Sequence, residues 1–170
     1  MAKRTFSASA RNPSPPSGSA RTAALSLLAR RDYTSAELST RLIDRGYAAD
    51  DVAEALKSLM ADGSLNDARV AAAHVRTSTT VKGRGRLRVK GELMARGLSR
   101  QAIDEALSAV DTVDERGALI RILKRKRYPE RPTPAERQRM FQHLLRRGFP
   151  SDLIRTVLGR GSSPFDDDDS

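Results

Sequence analysis

The chain has 170 residues, 38% of them hydrophobic and only 4% aromatic, with no tryptophan and no cysteine. That composition excludes disulfides and thiolate metal sites, and it favours many small aliphatic contacts over one large core. The net charge of +10 is uneven: residues 1–20 carry +3, 21–63 carry −1, 64–110 carry +5, 111–165 carry +7 and the tail at 166–169 carries −4, so an anionic partner should face the middle and end of the chain.

Residues 1–20 are rich in Ser, Ala and Pro with almost nothing to bury, and read as a disordered tail. They lack acids, as organellar transit peptides do, but hold no apolar run suited to secretion. A helix is predicted over about 22–31. Thr34 and Glu37 then form a capping box ahead of a helix carrying Leu38 and Leu42, which ends at Arg45 before Gly46. Asp50 or Asp51 is expected to cap the next helix, which carries Val52 and Leu56. Gly63-Ser64-Leu65-Asn66-Asp67 stops that helix and starts another over about 66–77.

Val89 and Leu93 mark the helix that stops at Gly97, and Ser99 is placed to cap the helix of Ile103 and Leu107. Thr112 and Glu115 suggest a further capping box before a helix over about 114–127. Thr133-Pro134-Ala135-Glu136 repeats the device with proline at the first helical position, where its missing N–H costs nothing. Met140 and Leu144 lead to Gly148, and Ser151 should cap the helix of Ile154 and Leu158. The acidic end, SSPFDDDDS, reads as a second mobile tail, and no segment alternates apolar and polar residues as a strand does.

One phrase recurs: LIDRGY, LMARGL and LLRRGF, with glycines 46, 97 and 148 spaced by 51 residues. In each, glycine sits one position past a helix end, where a left-handed backbone is needed, and the next residue folds back onto the leucine four positions before the glycine. The register extends to Leu38/Val89/Met140, Val52/Ile103/Ile154 and Leu56/Leu107/Leu158. The expected fold is therefore all-α: three tandem three-helix, helix-turn-helix-like repeats at 21–63, 64–110 and 111–161, flanked by tails 1–20 and 162–170.

Two basic runs stand apart from this scaffold. Lys82, Arg84, Arg86, Arg88 and Lys90 enter the middle repeat's second helix, with Arg84/Arg88 and Arg86/Lys90 each one turn apart. Arg121, Lys124, Arg125, Lys126 and Arg127 lie opposite the apolar side of the third repeat's first helix, or crowd its last turn. Such runs are often only a solvated face; their presence together in the two basic repeats favours phosphate or an acidic protein as partner, with no reading of base sequence. Arg45, Arg96 and Arg147 precede the glycines, complement the negative helix ends and are left out of the binding set. Gly83-Arg84-Gly85 lacks the spacing of a phosphate loop and reads as a flexible hinge.

No catalytic constellation emerges. His74 and His143 fall in different repeats and read as partly buried helix residues, and no metal or cofactor site is expected. Asp166–Asp169 reads as a solvated tail, able at most to compete with DNA for the basic faces. No run reaches the ~18–20 apolar residues of a membrane helix, so a soluble, cytoplasmic protein is expected, without a membrane partner and as a monomer.

ARRDYTSAEL at 29–38, GSLNDARVAAAHV at 63–75 and GRGRLRVKGELMARGL at 83–98, in that order, resemble the RecX family across about residues 21–160. That family usually has an aromatic residue where Val70 stands here. The resemblance implies an elongated, curved, non-enzymatic regulator that binds the RecA–DNA filament and suppresses strand exchange, ATP hydrolysis and repressor co-cleavage. It assigns no contact residues; the basic residues named above rest on charge and helical phase. A stand-alone helix-turn-helix DNA-binding protein and a helical-repeat adaptor for an unrelated acidic protein are the alternatives.

Overall fold

A computed structural model describes residues 18–108 and 112–159, with the side chains of 112–114 left out. Both tails, apart from Gly18, Ser19 and Ala20, and the Thr112 cap lie outside the described residues. Among the described residues all regular structure is helical: α1 (Ala20–Leu28), α2 (Ser35–Ile43), α3 (Ala49–Ala61), α4 (Asp67–Arg76), α5 (Arg86–Ala95), α6 (Arg100–Ser108), α7 (Thr112–Arg125), α8 (Pro134–Arg146) and α9 (Ser151–Leu158). A π-helical turn, Thr77–Val81, continues α4. None of these helices is long and apolar enough to cross a membrane.

The helices form three bundles with separate cores. Leu38, Leu42, Val52 and Leu59 centre the first, Val75, Val89, Leu93 and Ile103 the second, and Leu119, Leu144, Phe149 and Ile154 the third. Burying each such aliphatic side chain contributes about 1.5–3 kcal/mol before entropy is counted. Met140 departs from its register partners: Leu38 and Val89 are buried, whereas Met140 is only partly so. The chain divides into two compact units, one up to Leu65 and one from Asn66 onward, so the second and third bundles share a unit.

The repeated corner closes as its sequence requires. Gly46, Gly97 and Gly148 have φ of 90°, 78° and 86°. The N–H groups of Tyr47, Leu98 and Phe149 donate to the carbonyls of Leu42, Leu93 and Leu144 at 3.2, 3.3 and 3.2 Å. These are Schellman bonds, and each apolar follower packs into its own bundle's core.

The expected caps are met unevenly. Both capping boxes, Thr34–Glu37 and Thr133–Glu136, are formed, and Asn66 caps α4 through the Arg69 N–H at 2.9 Å. Ser99 accepts from the Ala102 N–H at 3.2 Å. Two expected caps are corrected: α3 starts after Ala48 and α9 after Pro150, neither with a side-chain cap. Ala48, Ser99 and Pro150 are the true register partners, so Asp50, Asp51 and Ser151 fall inside the first turn. At the start, α1 begins at Ala20, where the side chain of Ser19 accepts from the Thr22 N–H.

Candidate nucleic-acid interface

Both basic runs belong to the second unit, and what joins them is backbone. Gly85, which begins α5, has no capping side chain, so the first N–H groups of that helix need acceptors. They find them on neighbouring helices. The Gly85 N–H donates to the Arg147 carbonyl at 2.8 Å and the Leu87 N–H to the Gly148 carbonyl at 3.0 Å. The Arg86 N–H donates to the Glu115 carboxylate of α7 at 2.8 Å. The positive start of α5 thus meets the negative end of α8 and an acidic side chain, a pairing favoured by the peptide dipoles.

Gly83-Arg84-Gly85 is accordingly a clamp and not the expected hinge. Arg84 N–H donates to Ser78 O at 2.9 Å. The Arg147 guanidinium donates to the carbonyls of Lys82 and Gly83, both at 3.1 Å. A methyl group on Gly85 would overlap the Gly148 carbonyl, and one on Gly148 would overlap the backbone and Cβ of Arg88. Gly148 therefore serves twice, at the helix corner and at the contact between bundles.

This contact gathers cations. Burial, followed by the charges of Arg125, Arg88 and Arg84, lowers Arg147 below the ordinary guanidinium range. So Arg147, first set aside as a helix-end charge, lies where the two runs meet. His143, one turn earlier on α8, accepts from Arg147 Nε at 3.2 Å. Its own burial, then Arg147, Lys126, Arg146 and Arg125, depress it below the usual histidine value and favour the neutral ring.

Part of the first run is engaged internally. The Glu92 carboxylate takes Arg84 Nη1 at 2.7 Å, Arg88 Nε at 3.0 Å and His74 Nε2 at 3.1 Å. Burial pushes Glu92 up, but the bonds from Arg88, His74 and Arg84 outweigh it and hold the group below the usual carboxylate range. Arg88 also reaches the Arg146 carbonyl at 3.3 Å, and Lys90 pairs with Asp104 at 2.7 Å. Lys82, Arg86, Arg121, Lys124, Arg125, Lys126 and Arg127 are exposed, and none forms an ion pair with a described carboxylate. Those seven cations can take an external anion without first releasing an internal partner. Arg139, Arg146 and Arg147 extend the cationic region, with neutral His143 among them. They recur at helical spacing on α8, a signal visible in RQRMFQHLLRR.

Three family models match in order: the first three-helix domain of RecX at residues 20–59, the second at 66–107 and the third at 114–158. The chain belongs to the RecX family. A protein named regulatory protein RecX from Chromohalobacter salexigens is 38% identical over 135 residues, covering 79% of this chain and 88% of its own. One of the same name from Halorhodospira halophila is 36% identical over 152 residues, covering 88% and 89%. The crystal structure of RecX from Lactobacillus salivarius superposes with a TM-score of 0.76 at 23% identity, over 82% of this chain and 92% of that one. This last likeness speaks for the RecX fold.

Proposed function

We propose that the chain restrains the RecA recombinase by binding the RecA–DNA filament, lowering strand exchange, ATP hydrolysis and co-protease output with no chemistry of its own. The observation that carries this reading is the meeting of two basic runs around Arg147 in a member of the RecX family. Lys82, Arg86, Arg121, Lys124, Arg125, Lys126 and Arg127 supply the outward contacts, to the phosphate backbone of single- or double-stranded DNA or to an acidic RecA surface. Arg84, Arg88 and Lys90, held by Glu92 and Asp104, contribute field and position. The protein acts as a monomer in the cytoplasm, where the filament forms, and uses no cofactor or metal.

Titrating the chain into RecA hydrolysing ATP on single-stranded DNA tests the reading. Inhibition is expected at near-stoichiometric or lower amounts. Full-rate hydrolysis with the chain in excess contradicts it, and sequence-selective affinity for naked duplex would favour a stand-alone DNA-binding protein instead.

A further inference from the structure

Among the described residues, four helix ends close with the same pair of backbone bonds. The residue past the end donates to the carbonyl three before it, and its follower donates to the carbonyl five before the follower. Three of these ends use Gly46, Gly97 and Gly148. The fourth, at the end of α7, uses Arg127, with φ 50°, the one positive φ outside glycine among the described residues. Its bonds match the others: Arg127 N–H to Lys124 O at 3.0 Å and Tyr128 N–H to Leu123 O at 3.0 Å. Arginine in this conformation costs free energy that glycine does not, and strain of this kind is tolerated where a side chain has work to do. Helix-end electrostatics do not explain the choice, because Lys124, Arg125 and Lys126 already supply cations at the end of α7.

Arg127 stands at a cleft of about 310 Å³ in the third bundle. Lys126 lies beside it, Arg139 and His143 come from α8, and Tyr128 and Met140 add apolar surface. Glu136 also lines the cleft; its Oε2 accepts from the Thr133 N–H and hydroxyl, both at 2.8 Å, which holds it in the cap of α8, and its single negative charge is outnumbered by Lys126, Arg127 and Arg139. The cleft is positive, open to solvent and wide enough for a phosphate group.

We propose that this cleft is a phosphate subsite, in which Arg127 and Lys126 on one wall and Arg139 on the other grip one phosphodiester of a nucleic-acid backbone. It rests on the reading above that the basic face meets nucleic acid, and it assigns Arg127 a ligand role that its backbone conformation opposes. Stability and binding should therefore move in opposite directions on substitution.

The test is Arg127→Gly, compared with Arg139→Gln and with the charge-matched control Arg30→Ala on the first bundle, using the full chain and a fluorescent (dT)20 oligonucleotide. Arg127→Gly should raise the thermal midpoint by a few degrees. It should also weaken (dT)20 binding about 3- to 10-fold at low salt and reduce the salt slope by about 0.7, the share of one phosphate on a single strand. Arg139→Gln should lower affinity and slope similarly without raising the midpoint, while Arg30→Ala should leave the slope unchanged. If Arg127→Gly and Arg139→Gln keep the wild-type slope while wild type binds, the subsite is overturned and the broader face survives. If wild type does not bind (dT)20 even at low salt, the nucleic-acid reading fails with it.

Discussion

The first and third bundles share a topology, a glycine corner and a core built on the same register, yet residues 21–63 carry −1 and residues 111–165 carry +7. In the first, Arg21 pairs with Asp62 at 2.7 Å, and Arg31 lies over the Tyr33 ring at 3.7 Å and within 3.5 Å of Glu37. In the third, Arg121, Lys124, Arg125, Lys126 and Arg127 face water without a described acidic partner. The corners differ too. Gly46 turns a chain, whereas Gly148 turns a chain and also receives the start of α5. The scaffold is repeated, and cations without a described acidic partner collect where the third bundle packs against the second.

The largest expected effect separates the two corners. Gly148→Ala must strain a left-handed backbone and drive its methyl into Arg88, a combined loss of about 3 kcal/mol or more. Gly46→Ala carries the backbone strain of a left-handed residue, about 1–2 kcal/mol. Urea denaturation of both variants decides; equal losses would mean that the close approach of Gly148 to Arg88 bears no weight.

Next comes Glu92→Gln, which removes the carboxylate shared by Arg84, Arg88 and His74 and leaves two guanidinium groups facing each other. A loss of about 1–2 kcal/mol at neutral pH is expected. Because native Glu92 is held below the usual carboxylate range, its contribution is complete above about pH 4.3 and vanishes as pH falls through its native value. Denaturation curves of the variant and wild type should therefore converge in acid; a gap constant with pH would remove the carboxylate from the account.

The smallest effect belongs to His143, for which the first bundle has no counterpart. Its depressed native value means that the unfolded chain takes up the proton more readily, so its share of stability is full above about pH 6.5 and erodes below it. Thermal midpoints at pH 7.5 and 5.5 should differ less in His143→Gln than in wild type. The same shift in both would show that neither burial nor Arg147 and its neighbours depress the ring.

What was legible in the sequence is what is local. The glycine corners depend on a conformation one residue wide, and the capping boxes on four consecutive residues, so spacing alone revealed them. Ser151 was misread because it stands one position beyond the Ala48/Ser99/Pro150 register, and a serine near a helix start looks like a cap whether or not it is one. The clamp at Gly85 was invisible because its acceptors, Arg147 O and Gly148 O, lie some sixty residues away. For the same reason Glu115, read as part of a local capping box, gave no hint that it would also accept from the first turn of α5. Arg127 was legible as part of a basic run, but its left-handed backbone was not, since no local rule expects arginine at such a helix stop.

The central claim, that uncompensated cations of the second unit engage the RecA–DNA filament, is tested most directly by charge reversal where no internal bond is lost. Arg121→Glu with Lys124→Glu meets that condition, whereas reversing Arg84 and Arg88 would also break their bonds to Glu92. RecA's ATPase on single-stranded DNA should be inhibited by the wild-type chain and severalfold less by the equally helical double variant; inhibition of equal potency by both would contradict the claim.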